Sequence, residues 1–155
     1  MRFRPALYAA VLALCCAQSA AKDIALISNK ENTLRGVPFA ELVKICKGQT
    51  SRWPDGKFVT LVMRNPASTD MKIVLQKAYG MTSEEVNQLL AAANHGRTDR
   101  PAVVVVSSDE AVVKKVESMP GAVGLVDVYS ITGGVNVIKV GGKLPLEPGY
   151  VLHGN

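Results

Sequence analysis

The chain is poor in the residues that usually announce chemistry. It has two histidines, three cysteines and one tryptophan, and aromatic residues make up 5% of its 155 positions. His95 lies in a polar stretch and His153 near the C-terminus, and neither stands at a metal-ligand spacing from another histidine or cysteine. Both read as solvent-exposed side chains, so no metal and no cofactor is expected. There is no Gly-x-Ser-x-Gly elbow and no phosphate-cradling glycine loop. The chain offers no catalytic residue and does not read as an enzyme. Scarce aromatics remove the stacking platforms that single-stranded nucleic acids use. The formal net charge of +5 is too small to argue for nucleic acid either. No apolar run reaches the ~20 residues needed to cross a bilayer.

The N-terminus is what the chain does announce. Arg2 and Arg4 precede an apolar run over residues 6–17 (ALYAAVLALCCA), and Gln18-Ser19-Ala20-Ala21 follows. A positive start, an apolar middle and small residues at the end make a secretory signal peptide. Cleavage after Ala21 would place Ser19 and Ala21 at the two small-residue positions. Residues 1–21 are therefore expected to be a signal peptide, and residues 22–155 one exported, periplasmic, soluble domain large enough for a real core. Cys15 follows Leu14 and Cys16 follows a cysteine, not the small residue that a lipid-attachment site uses, so lipidation is not expected. Only Cys46 outlasts processing, and it has no partner for an internal disulfide. It reads as a small buried hydrophobe, with an intermolecular disulfide or a reactive thiol as the alternative.

Strand and helix patterns alternate along the rest. Asp23 to Ser28, Phe58 to Met63, Ala102 to Val106, Ala122 to Val128 and Val135 to Val140 read as strands. The continuous β-branched run AVVVV suits a strand covered on both faces. Gly36-Val37-Pro38 opens a helix, with Pro38 at its first position, that Gly48 stops. A second helix follows Ser68 or Thr69 and runs to about Tyr79. Thr82-Ser83-Glu84-Glu85 is a capping box that opens a third. Ser107-Ser108-Asp109-Glu110 opens a fourth, ending near Ser118. Trp53-Pro54-Asp55-Gly56 marks a turn within a polar loop. Residues 143–155, broken by glycine and proline, read as peripheral. The alternation indicates an α/β fold: a single-domain, mostly parallel sheet flanked by helices.

Four blocks in this order resemble the phosphate-type substrate-binding proteins of ABC transporters, in the periplasmic-binding-protein superfamily. Leu34 to Gly48 with Trp53 and Gly56 is similar to the family's "helix, Ile-Phe-x-Gly, Trp, Gly" segment. Phe58 to Arg64 followed by Ser68 is similar to its "strand, Arg, Ser-Gly-Thr, helix" segment. Val112, Val113 and Val116 resemble the helix before its glycine turn. Pro120-Gly121-Ala122-Val123-Gly124-Leu125-Val126 is similar to its "Pro-Gly-Ala-Ile-Gly-Tyr-Val" strand. The likeness covers about residues 24–140. It implies one lobe of a fold that elsewhere has two, a soluble protein outside the cytoplasmic membrane, inorganic phosphate or a related oxyanion as ligand, and an ABC permease as partner. Nothing in the chain corresponds to the other lobe. Where the family has Ser-Gly-Thr, this chain has Ser68-Thr69-Asp70.

The sharpest candidate site is thus an oxyanion site at Arg64, Ser68, Thr69 and Asp70. Arg64 would offer a bidentate fork, Ser68 and Thr69 hydroxyls, and the helix start unpaired N–H groups. The competing reading needs no ligand: Ser68 or Thr69 caps a helix, Asp70 favours its first turn, and Arg64 is solvated. Asp70 would repel a dianion, yet it could accept the proton of a hydrogen phosphate. A second role is also open: a noncatalytic envelope interaction module that keeps the binding-protein fold without ligand capture. There the face that a missing lobe would cover would meet a second copy, giving a homo-oligomer, or another envelope protein.

Overall fold

The computed structural model describes residues 22–97 and 99–154; the expected signal peptide, residues 1–21, lies outside them. Six strands form one sheet: β1 (Ile24–Asn29), β2 (Gly36–Val37), β3 (Thr60–Arg64), β4 (Val103–Val106), β5 (Ala122–Asp127) and β6 (Val135–Val140). Their order is β2-β6-β1-β5-β3-β4. β3 runs parallel to β4 and β5, β2 runs parallel to β6, and β1 alone lies antiparallel to its neighbours β5 and β6. The sheet is thus parallel apart from one strand, as the alternation of elements indicates.

Both faces are covered over β1, β3 and β5, whose residues are buried almost throughout. The Val103–Val106 run, expected to be covered on both faces, is instead the edge strand β4, where Val105 is exposed, and β6 alternates between buried and exposed positions. Ile24 and Leu26 of β1 enter one core, and Ala25 and Ile27 enter the other. The larger core lies under helix α1 (Phe39–Cys46), the helical segment 69–79, and helix α3 (Ser83–Asn94). The smaller lies under helix α4 (Asp109–Ser118), through Val112, Val113 and Val116. Gly124 allows that contact. A Cβ there would stand 2.7 and 2.8 Å from methyls of Val112 and Val116, so only glycine lets α4 settle onto β5. α3 carries the expected capping box between Thr82 and Glu85, and the Ser108 hydroxyl caps α4 by accepting from the Ala111 N–H.

Three further expectations change. Gly36–Val37 is a short strand beside β6, not a helix opening, and α1 starts just after Pro38. The segment 69–79 is not one regular helix. It is a 3-10 turn (Thr69–Met71), an α turn α2 (Lys72–Val74) and a π turn (Leu75–Tyr79), closed by Gly80 in the left-handed region. Tyr79 lies buried against α1, its hydroxyl donating to the Cys46 carbonyl. Finally, the C-terminal segment is not peripheral. Tyr150 and Leu152 are buried, the Tyr150 hydroxyl donates to the Ile24 carbonyl, and the Ile24 N–H donates to the Leu152 carbonyl. Isolated apolar positions among breakers carry no periodicity, so their burial shows only in three dimensions. Among the described residues no helix is long and apolar enough to cross a membrane.

Candidate functional site

The chain leaves β3 toward the larger core and leaves the adjacent β4 toward the smaller one, through α4. Adjacent parallel strands whose continuations diverge to opposite faces open a crevice at their carboxyl ends, where α/β sheets place ligands. Arg64 is the last residue of β3 and stands in register with Val106, the last of β4. Asp109, the first residue of α4, faces it from the other wall.

Arg64 is not a solvated side chain, being 23% exposed. Its Nη1 donates to the Asp70 carboxylate and lies 3.9 Å from Asp109 Oδ1. Asp109 is 15% exposed, and its other oxygen accepts from the Ser130 hydroxyl at 3.1 Å. Ser130 ends the 3-10 turn Val128–Ser130 that follows β5. One guanidinium therefore has two carboxylates near it, and a third strand end supports the farther one. Asn65 shapes the loop between Arg64 and Asp70, its side chain accepting from the Ala67 N–H and its carbonyl from the Ser68 N–H.

Two donors in this cluster are left over. Arg64 Nε and the Ser68 hydroxyl are buried and have no hydrogen-bond partner among the described residues. Ser68 stands at the N-cap position, yet its side chain makes no cap bond, so the capping account does not explain it. Thr69 is exposed at the first turn. The structure thus gathers Arg64, Ser68 and Asp70, sets Thr69 on the rim, and adds Asp109 and Ser130. The linear pattern places Asp109 only at the opening of the fourth helix. Its place opposite Arg64 depends on β3–β4 pairing, which no local pattern displays.

The remaining candidates resolve simply. Cys46 is buried, and burial pushes its thiol up to about 12, so it is a core side chain and not a reactive thiol. His153 is exposed, as expected, though it pairs at 2.6 Å with the buried Asp23. Among the described residues no group of three or more His, Cys, Asp or Glu side chains could hold a metal.

No protein-family model matches the chain, and no curated protein matches it by sequence. Solved structures do match. An ABC-type phosphate transport receptor from Vibrio cholerae superposes with a TM-score of 0.69 at 18% identity, over 86% of this chain and 54% of that one. PstS from Borrelia burgdorferi gives 0.67 at 18% identity, over 87% and 55%. The phosphate-binding protein from Stenotrophomonas maltophilia gives 0.59 at 16% identity, over 81% and 40%. The chain spans about half the length of these proteins. It is therefore similar to phosphate-type binding proteins in fold, and that fold is the α/β architecture of one lobe of a periplasmic binding protein.

Proposed function

We propose that this is an exported, noncatalytic solute-binding protein whose crevice takes a protonated inorganic oxyanion, hydrogen phosphate first, for delivery to an ABC permease. The observation that carries this is a pair of buried donors, Arg64 Nε and Ser68 Oγ, that have no partner among the described residues. A buried donor without an acceptor costs about 1–3 kcal/mol, and an oxyanion admitted to the cluster would supply acceptors. Thr69, on the rim, would add a hydroxyl. The receptors of like fold support the choice of phosphate. Asp70 supports the choice of its protonated form. A carboxylate ~4 Å from an anion costs about 1 kcal/mol in water and ~4 at an effective dielectric of 20. A hydrogen phosphate can donate its proton to that carboxylate, and sulfate cannot.

Calorimetry tests this directly. Phosphate should bind more tightly than sulfate, and Arg64→Ala should abolish binding. Asp70→Ser should tighten sulfate from about fivefold to nearly a thousandfold, each ~1.4 kcal/mol being tenfold, and phosphate by less, which erodes the preference over sulfate. No heat at millimolar phosphate for either the wild type or Asp70→Ser would sink the reading. Export is tested by sequencing the N-terminus of the protein from a periplasmic fraction, which should begin at Lys22.

The second reading, an envelope interaction module without ligand capture, draws on the Arg64–Asp70 pair itself. The guanidinium already holds an internal carboxylate where an anion would go. Exposed Tyr129 and Val137 would then belong to a contact surface. Absence of phosphate binding together with concentration-dependent self-association, or with recovery of one envelope partner, would favour it.

A further inference from the structure

The opposite end of β3 carries a second cationic cluster that the crevice does not use. Residues 52–58 form a tight hairpin, closed by a bridge between Arg52 and Phe58 and by a hydrogen bond from the Trp53 N–H to the Lys57 carbonyl. Its Trp53 indole is buried and donates to the Gly121 carbonyl at 2.7 Å, pinning the hairpin beside the start of β5. Over the Phe58 ring lie two guanidinium groups, Arg52 at 3.9 Å and Arg100 at 4.5 Å from its centroid.

Two hollows, of about 390 and 490 Å³, adjoin Phe58, and Arg100 and Asp99 border both. Arg97 lines the smaller, and Lys57 and Lys115 line the larger. Lys57 is paired with Asp55, but Arg97, Arg100 and Lys115 form no ion pair among the described residues, and Asp99 is the only acid lining either hollow. Unbalanced cations on a fixed platform are built to receive an anion. Stacking on Phe58 orients the Arg100 fork in advance, which reduces the entropy lost when it grips a carboxylate.

The chemistry narrows the occupant. Phe58 is the one aromatic ring in the cluster and its contacts are with guanidinium groups, so it is no bare platform for stacking bases. The large apolar side chains exposed on the described surface, Val105, Tyr129, Val137 and Leu146, are not among the residues lining these hollows. A membrane would need such side chains here to insert. Two adjoining recesses sharing one arginine instead suit carboxylates spaced along an extended chain. We propose that this end of the sheet docks an acidic peptide segment of a partner protein, with Arg97, Arg100 and Lys115 as the contacts that hold it.

The probe is a fluorescein-labelled hexaglutamate peptide, followed by anisotropy at about 50 mM salt. The purified protein should bind it saturably. Arg97→Gln with Arg100→Gln should weaken binding by tenfold or more, since a hydrogen bond to a charged group is worth about that much. Lys72→Gln with Lys77→Gln removes the same charge from the exposed surface of the segment 69–79 and should change binding by less than about twofold. Equal weakening by both pairs would reduce the effect to net charge and overturn the proposal. So would failure to saturate, or tighter binding of an oligothymidine strand or of phosphatidylglycerol vesicles. All four positions are surface side chains, and matched thermal unfolding of the variants would exclude misfolding as the cause of a loss.

Discussion

β3 has an arginine cluster at each end, and the two are built in opposite ways. At the carboxyl end, Arg64 is mostly buried and answered by the chain's own acids, Asp70 directly and Asp109 at 3.9 Å. At the amino end, Arg52 and Arg100 lie on Phe58, and the hollows beside them hold one acid among several cations. The two ends are about 13 Å apart along the strand, at ~3.3 Å per residue. The difference teaches what an arginine's neighbours do to its use. A guanidinium already neutralised can accept a further anion only if that anion suits the acids as well, so the site gains selectivity and loses strength. A guanidinium held on a ring among more cations than acids attracts a carboxylate within reach, strongly at low salt and less as screening grows.

The contrast can be broken most forcefully at the amino end. Trp53→Ala removes a buried indole and its bond to Gly121, and should cost about 3–5 kcal/mol in urea unfolding. It should also loosen the Phe58 platform and so weaken hexaglutamate binding, while any phosphate affinity of the remaining folded protein stays within about twofold. A cost below about 1 kcal/mol would mean that the hairpin is not pinned as described.

The core between the two ends responds to alkali. Burial raises the Cys46 thiol to about 12, and burial likewise raises the Tyr79 and Tyr150 hydroxyls. The folded state therefore keeps protons that the unfolded chain releases. This contribution is full below the ordinary thiol value of 9.0 and is lost as pH rises toward about 12. The urea midpoint should fall steadily from about pH 9 to about pH 12, and Cys46→Ala should flatten the decline. An unchanged midpoint would contradict the burial of these groups.

The smallest effect sharpens the comparison at the carboxyl end. Asp70 is 37% exposed, and an ion pair with that much solvent contributes about 1 kcal/mol or less. Asp70→Asn should therefore leave unfolding stability nearly unchanged while altering anion preference. A loss of several kcal/mol would make Asp70 a structural partner of Arg64 and would favour the interaction-module reading.

Much of this was legible in the linear chain. β-branched runs, capping residues and glycine stops placed five of the six strands and the four helical segments, because those signals act within a few residues. β2 escaped because two residues have no period. The irregular turns of segment 69–79 escaped because the buried contacts of Tyr79, including its bond to Cys46 on α1, lie outside the segment. Tyr150 and Leu152 escaped because proline and glycine around them signal a loop whatever that loop covers. At the candidate site, the stretch holding Arg64, Ser68, Thr69 and Asp70 was visible as one block. That Arg64 is turned onto Asp70, that Ser68 caps nothing, and that Asp109 and Ser130 join the cluster was not.

By itself, then, the sequence determined the α/β class, the likeness to one lobe of a binding protein and the position of the oxyanion candidate. These rest on local propensity and on the order of motifs. Only the tertiary structure decided which charges meet. Parallel pairing of β3 with β4 carries Asp109 across the crevice, and the Trp53-pinned hairpin brings Phe58 to Arg100. Both are contacts between residues more than forty positions apart, made by sheet register and packing, and a linear pattern holds no record of either.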